Sequence, residues 1–249
     1  MEVSLVSIIV IIAAGTAAGF INVVAGGGSL ITVPTLIFLG IPPVMANGTN
    51  RIAILSQNAL AVGRFRQKGY FPWKAGLTLG ITAAAGALAG SMIAVEISGE
   101  LFSKILSGVM IMVLILTLLG NKRKQAGDEI IRRWWLLVPV FFLVGIYGGF
   151  IQAGVGFIII AAFSLISGTN LVMTNAIKVM VVFLYTIPSL IIFIINGEVA
   201  WIAGIALAVG NATGGWLGAH FSVQKGDKWI KVILTVTVLA MAVRLFFFS

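Results

Sequence analysis

Long apolar runs are the feature that most limits what this chain can fold into. Eight of them are long enough to cross a bilayer, at residues 3–24, 44–63, 72–95, 101–119, 134–152, 172–195, 199–222 and 230–248. A crossing needs about 20 mainly apolar residues. Of the 249 residues, 60% are hydrophobic and 9% are charged. A soluble domain of this size could not bury that much apolar surface, so the sequence predicts an all-α polytopic membrane protein.

Two shorter apolar runs, at residues 28–40 and 156–168, follow clusters of glycine. Each is too short to cross comfortably, so we expect a tilted, broken or re-entrant segment. The total is then eight to ten transmembrane helices, two of them short or broken. Pro34 and Pro188 are expected to kink or break their segments. The first run lacks a basic segment before it, so it is interpreted as structure and not as a cleaved signal.

The basic residues predict the orientation of the chain in the membrane. Twelve of the sixteen Lys and Arg residues fall in three loops, at residues 63–74, 120–133 and 223–231. Basic loops face the cytoplasm, so both termini are predicted outside. The same loops lack the interleaved aromatic residues that stack on bases, which argues against nucleic acid as a partner.

The chain matches itself at an offset of 128 residues without a gap. The matches include Met45 with Met173, Asn47 with Asn175 and Trp73 with Trp201. This duplication divides the chain into a first transmembrane repeat (1–121), a cytoplasmic linker (122–133) and a second repeat (134–249). Each repeat has about five segments, and an odd number turns the second copy upside down. In agreement, the 63–74 loop is basic and its counterpart at 191–202 has no basic residue. Inverted repeats are typical of secondary transporters, whose substrate lies near the midplane between the repeats.

Each repeat has a glycine cluster where a long apolar segment meets a short one. The candidate binding residues there are Gly26, Gly27 and Gly28 in the first cluster and Gly154 and Gly156 in the second. Glycine at a helix start leaves backbone N–H groups open to an anion. The alternative interpretation is close helix packing or a simple turn.

Arg51 and Lys178 are the two basic residues inside predicted spans. A charge in hydrocarbon is costly unless it is paired or lines a cavity, and all seven acidic residues fall in loops or at span edges. Lys178 aligns with Asn50, so the two cations occupy nearly equivalent positions. We therefore expect an anionic ligand as their counter-charge. The alternatives are snorkelling to the interface and capping of helix carbonyls.

Polar side chains near these cations complete the predicted anion site. Amide and hydroxyl donors beside a cation suit an oxyanion such as a sulfonate, sulfite or carboxylate. The candidates are Asn47, Thr49 and Asn50 before Arg51, Asn175 before Lys178, and Asn22 and Gln152 before the glycine clusters. Each could instead hydrogen-bond between helices. Gln57, Asn58, Tyr147, Tyr185 and Asn211 are weaker candidates for which packing is the preferred explanation, and His220 is interpreted as structural.

The motifs at these positions resemble the TauE/SafE family of sulfite and organosulfonate transporters. The resemblance rests on AGGGSLITVP at residues 25–34 and ANGTNR at residues 46–51. The second copy departs from the pattern, with GVGF at 154–157 and NAIK at 175–178. Membership in this family would imply a protein of the bacterial inner membrane that moves small organic or sulfur-containing anions of the sulfite, sulfonate or sulfoacetate type.

The sequence thus predicts an exporter that works by alternating access. Each negative charge leaving a cell that is negative inside gains about 2.3 kcal/mol per 100 mV, so export needs no coupling ion. The alternatives are an anion channel and a proton- or sodium-coupled importer. An enzyme is not expected, because the chain has no Cys, one His and no acidic residue inside a span. No metal or cofactor is expected, and the predicted partners are a small anion and membrane lipid.

Overall fold

The structure, a computed structural model, describes residues 5–119, 134–167 and 169–248, and all regular structure in these ranges is helical. The helices are α1 (Leu5–Val24), α2 (Ser29–Phe38), α3 (Pro43–Gln67), α4 (Trp73–Glu96), α5 (Gly99–Leu119), α6 (Trp134–Phe150), α7 (Val155–Ile166), α8 (Leu171–Ile195) and α9 (Trp201–Phe248). The predicted all-α class is confirmed for the described residues. The predicted linker at 122–133 lies outside them.

The apolar runs correspond to helices with small changes at the ends. The last two predicted runs lie within α9, which is interrupted at Gly226 by a non-helical backbone (φ 68°, ψ −170°). Neither Pro34 nor Pro188 breaks its segment, since α2 and α8 continue through them; the expected kinks stay a prediction. Four described helical segments are long and apolar enough to cross a membrane, namely Val6–Val24, Trp73–Glu96, Leu171–Ile195 and Trp201–Ile230. The predicted total of eight to ten crossings stays a prediction.

The two short helices are much shorter than a bilayer is thick. α2 has 10 residues and α7 has 12, which correspond to lengths of about 15 and 18 Å. The hydrocarbon core measures about 30 Å. Neither helix crosses it alone, and both begin directly after a glycine cluster.

The long helices pack in a continuous series. α1 packs on α9, α9 on α3, α3 on α8, α8 on α4, and α4 on α6. The α3–α8 contact therefore lies at the middle of the series, with one helix pair on each side.

Glycine permits the closest of these contacts. Gly86 and Gly90 of α4 lie against the backbone of α6, and Gly214 and Gly218 of α9 lie against that of α1. The two Gly-xxx-Gly pairs thus serve close helix packing, as their spacing predicts.

The N-termini of α3 and α8 are completed by different chemistry. Asn170 caps α8 by accepting from the backbone N–H of Met173 at 2.8 Å. The Asp227 carboxylate also accepts from the backbone N–H of Leu171, at 3.0 and 3.1 Å. α3 begins instead with Pro43 at its first turn, and proline has no N–H to satisfy.

Candidate functional site

The two glycine clusters meet at the centre of the molecule. A Cβ atom placed on Gly26 would lie 2.6 Å from the Cα of Gly156, which is closer than side chains allow. Gly26 and Gly154 have φ values of 97° and 74°, in the left-handed region that favours glycine. The clusters bring the starts of α2 and α7 together, and any side chain at Gly26 or Gly156 would push them apart.

Some of the N–H groups at these helix starts already have acceptors. The Gly28 N–H donates to the Asn22 side-chain oxygen at 3.3 Å. The N–H groups of Val155 and Phe157 donate to the carbonyls of Gln152 and Gly154, at 3.3 and 3.0 Å. The expectation of open N–H groups therefore fails at these three positions.

Arg51 is fully buried and holds the end of α6. Its guanidinium donates to the carbonyl oxygens of Gly148 at 3.2 Å and Gly149 at 2.6 Å, in the last turn of that helix. The Phe193 ring covers one face of the guanidinium, with 4.5 Å between Cζ and the ring centroid.

Lys178 does the same for α1. Its ammonium donates to the carbonyl oxygens of Asn22 at 3.0 Å and Val23 at 2.8 Å, in the last turn of α1. A third bond, of 2.8 Å, goes to the side-chain oxygen of Asn175. Capping of helix carbonyls, one of the alternatives for both cations, is what the structure shows. A helix C-terminus carries about half a negative charge, so capping offsets each cation only in part.

Asn47 and Asn175 support the same helix ends. The Asn47 amide donates to the carbonyl of Phe150 at 2.8 Å, and the Asn175 amide donates to that of Val24 at 3.0 Å. Each half of the chain therefore uses an asparagine and a cation, three or four residues apart on one helix, to hold the end of a helix from the other half.

The other predicted polar residues bond to other helices or to the backbone just before one. Asn50 bonds the hydroxyls of Ser29 and Thr32, at 3.1 and 2.7 Å. The Thr49 hydroxyl accepts from the backbone N–H of Ala200 at 2.9 Å. Gln152, which has a left-handed φ of 59°, donates from its amide to the Thr186 hydroxyl at 3.2 Å.

A small cavity lies between the glycine clusters and Lys178. Only about 10 Å³ is open to the centre of a water molecule, so the cavity holds about one water and is closed to an oxyanion in this conformation. Its wall consists of Asn22, Ser29, Ile54, Asn58, Gln152, Val155, Gly156, Lys178 and Val182.

The cavity brings together part of the predicted site. Four predicted residues line it, namely Asn22, Gln152, Gly156 and Lys178. Arg51, Asn47, Thr49, Asn50 and Asn175 are buried nearby on the same helices but are absent from its wall.

Two further polar residues line the wall. Asn58, on α3, is one of the weaker sequence candidates, for which packing is the preferred explanation. Ser29, which ends the first glycine cluster, is not among the sequence candidates. Its only signal is a polar side chain within an apolar segment, which is also common where helices simply pack together.

Neither buried cation has a carboxylate among its hydrogen-bond partners in the described residues. In those same ranges, no three His, Asp or Glu side chains come together in a way that could hold a metal ion. The chemistry of the centre is therefore that of cations, amides and hydroxyls.

A second polar contact joins α3 to α9 about four turns away from Arg51. The Arg64 guanidinium bonds Nδ1 of His220 and covers the Trp216 ring, with 4.8 Å between Cζ and the centroid. The rings of Trp216 and His220 are stacked. The sole histidine thus joins α9 to α3. That it is structural stays a prediction.

A family model described as "Sulfite exporter TauE/SafE" matches residues 11–245. The chain belongs to the TauE/SafE family. It is therefore a multi-pass membrane transporter of that family, as the sequence motifs predict. No solved structure matches the chain significantly.

Curated relatives of the chain carry names that agree with membership in the TauE/SafE family. A Sinorhizobium protein described as "Probable membrane transporter protein ORF9" is 28% identical over 92% of this chain and 88% of its own. A Haemophilus influenzae protein described as "Probable membrane transporter protein" is 27% identical over 98% of this chain and 96% of its own. "Probable membrane transporter protein YfcA" of Escherichia coli K12 is 27% identical over 93% of this chain and 87% of its own. These names indicate transporters and not enzymes.

Proposed function

We propose that this TauE/SafE protein exports small organic or sulfur-containing anions, of the sulfite, sulfonate or sulfoacetate type, across the bacterial inner membrane. The observation that carries the proposal is the pair of buried cations Arg51 and Lys178, which lie 0% and 2% exposed at the contact between the halves. Helix carbonyls offset part of their charge, and the starts of α2 and α7 add positive potential beside them. An anion supplies the charge that the centre lacks.

The proposed architecture is an inverted repeat. α3 and α8 have 25 residues each and start 128 residues apart, at Pro43 and Leu171. α4 and α9 start with Trp73 and Trp201, at the same spacing. The packing series runs from α1 through α9, α3, α8 and α4 to α6. When each helix is replaced by its counterpart in the other half, the same series results in reverse order. These regularities support two equivalent halves around the α3–α8 contact.

The proposed mechanism is alternating access. In the present conformation the central cavity is too small for an oxyanion, so the anion enters only after the halves move relative to each other. Each cation bonds the end of a helix in the other half. An anion that binds the cations weakens those hydrogen bonds, and it thereby favours movement of the halves. Export follows from the membrane potential, which drives negative charge outward with about 2.3 kcal/mol per charge at 100 mV.

Flux measurements in proteoliposomes test the function. The purified protein should move at least one of sulfite, methanesulfonate, sulfoacetate and acetate, with saturable counterflow. Saturable counterflow distinguishes a carrier from a channel. Arg51→Ala and Lys178→Ala should lose this flux, whereas Lys104→Ala should keep it, because Lys104 is an exposed cation paired with Glu100.

The charge-keeping variants Arg51→Lys and Lys178→Arg separate loss of function from loss of folding. They retain the cation and should retain part of the flux. Normal flux in both alanine variants would refute the proposed site, and lack of flux for every anion in the wild type would refute the proposed substrate class.

Single cysteines test the inverted topology, since the chain has no native Cys. Lys68 and Asn196 are exposed residues 128 positions apart, each just after a long helix. A membrane-impermeant maleimide should label Asn196→Cys from outside intact cells, and it should label Lys68→Cys only after the cells are opened. Labelling of both from the same side would contradict the inversion.

A further inference from the structure

The two buried cations differ in how many hydrogen-bond donors they have left. A lysine ammonium has three N–H donors and an arginine guanidinium has five. All three donors of Lys178 are accounted for by Asn22, Val23 and Asn175. Arg51 uses two donors on α6, and its buried Nε has no acceptor. Of these two cations, Arg51 is the one that can still donate to a ligand.

Two buried hydroxyls lie on the face of α8 that Arg51 contacts. Tyr185 and Ser189 are both 0% exposed. The Ser189 hydroxyl has no hydrogen-bond partner, and the Tyr185 hydroxyl has the Gln152 side chain beside it. Tyr185, Ser189 and Phe193 are spaced by four residues, so they share one face of α8. Phe193 covers the Arg51 guanidinium, and Arg51 and Tyr185 lie close enough to interact electrostatically.

The position of Gly148 confirms that these groups converge. Its carbonyl accepts from Arg51, and a Cβ placed on it would lie 3.0 Å from the Tyr185 hydroxyl oxygen. The Arg51 guanidinium and the Tyr185 hydroxyl therefore meet at the end of α6, and Ser189 lies on α8 between Tyr185 and Phe193.

A buried donor without an acceptor is unfavourable. Arg51 Nε and the Ser189 hydroxyl are two such donors, and with the Tyr185 hydroxyl beside them they favour a ligand that offers acceptor oxygens. One amide oxygen in the same region, Asn47 Oδ1, also lacks a partner. A water or an acidic proton of the ligand can donate to it. The arrangement suits an oxyanion and gives no place to a cation.

We propose that Arg51 Nε, the Tyr185 hydroxyl and the Ser189 hydroxyl are the hydrogen-bond donors that bind the oxyanion. Lys178 contributes positive charge and bonds the end of α1, but it does not bond the oxyanion directly. The inference rests on the proposed anion transport and adds which residues contact the substrate. Tyr185 and Ser189 then determine how tightly an oxyanion binds.

Removing each hydroxyl alone tests this assignment. Isothermal titration of the detergent-solubilised protein with sulfite, methanesulfonate and acetate gives the dissociation constant of each probe. Tyr185→Phe and Ser189→Ala should each weaken binding by about tenfold or more, the loss expected for one hydrogen bond to a charged group. Ser222→Ala is the matched control, because Ser222 is also a fully buried serine without a partner. It lies two residues after His220, whose partner Arg64 is on the order of 20 Å along α3 from Arg51.

Thermal unfolding separates a binding role from a structural one. Without ligand, Ser189→Ala should unfold at the wild-type temperature or above it, because it removes a donor that had no partner. Tyr185→Phe should lose no more stability than the single contact with Gln152 contributes. With ligand, both should show a smaller rise in unfolding temperature than the wild type. Wild-type affinities in both variants would overturn the assignment, and so would a loss of stability in Ser189→Ala in the absence of ligand. A wild type that binds none of the probes would instead refute the proposed function, and this assignment with it.

Discussion

Alanine at Gly86 or Gly214 should force apart the two closest helix pairs. A Cβ on Gly86 would lie 2.9 Å from the backbone N of Ile146 on α6. A Cβ on Gly214 would lie 2.8 Å from the backbone N of Phe20 on α1. Non-bonded atoms settle near 3.5 Å, so the helices must separate by roughly 0.6 Å or more. Backbone atoms cannot rotate away as the end of a side chain can, so the whole helix has to move.

The expected cost follows from two opposing effects. Overpacking of this kind costs about 1–3 kcal/mol. Alanine also raises helix propensity over glycine by about 1 kcal/mol. Gly63 on α3 isolates that second effect, since nothing lies within 4 Å of a Cβ placed there. We take about 1–3 kcal/mol as the net loss of stability in Gly86→Ala, with the gain in helix propensity already included. Gly63→Ala shows only the gain, of about 1 kcal/mol. The free energies of unfolding of the two variants should therefore differ by about 2–4 kcal/mol.

Thermal unfolding in detergent, followed by size-exclusion chromatography of heated samples, measures the difference. For a chain of this size 1 kcal/mol corresponds to about 2–4 °C, so Gly86→Ala should unfold about 4–16 °C below Gly63→Ala. Gly214→Ala should behave like Gly86→Ala. Equal unfolding temperatures for Gly86→Ala and Gly63→Ala would refute the close α4–α6 packing. A loss at Gly86 alone would refute the equivalence of the two helix pairs.

Two other contacts make predictions of their own. Asp227→Ala should lower stability by about 0.5–2 kcal/mol, the usual cost of losing a helix cap. The reason is that the backbone N–H of Leu171, at the start of α8, loses its acceptor. An unchanged unfolding temperature would contradict this role of Asp227. At the α3–α9 contact, Arg64 can only donate, so Nδ1 of His220 must accept. Protonation of the imidazole removes that acceptor, so the free energy of unfolding should fall on acidification. His220→Phe should reduce this pH dependence. Equal dependence of stability on pH in the wild type and in His220→Phe would show that the contact does not contribute.

Much of the helical framework follows from residue type and spacing. The apolar runs predict the helices because a chain in hydrocarbon must bond its own backbone, and the glycine clusters mark the starts of α2 and α7. Pro34 and Pro188, in contrast, lie inside helices. The glycines at positions 26 and 154, matched at the 128-residue offset, both adopt left-handed conformations. Residues 223–231, which the sequence predicts as a loop, are helical except for the interruption at Gly226, and this could not be predicted in this way. The charged residues and Gly226 of this stretch have the composition of a loop.

The partners of the cations could not be predicted from the sequence. Arg51 and Lys178 stand out because charge in an apolar segment is rare. Their acceptors are backbone carbonyls, which every residue carries, so no sequence pattern marks them. The contact between Lys178 and Asn22 also joins residues 156 positions apart. The sequence therefore identified which side chains are unusual, and only the fold shows that they hold helix ends.

Arg51 and Lys178 are one residue out of register when the two halves are aligned, yet both bond the carbonyls at the end of a helix. Lys178 aligns with Asn50 and not with Arg51, but Lys178 holds the end of α1 while Arg51 holds the end of α6. Each half therefore holds a helix end that belongs to the other. Moving the halves apart breaks hydrogen bonds to a charged group, each worth about 1.5–3 kcal/mol. An anion that draws on the same positive charge offsets this cost, and that is how binding at the centre can be coupled to movement of the halves.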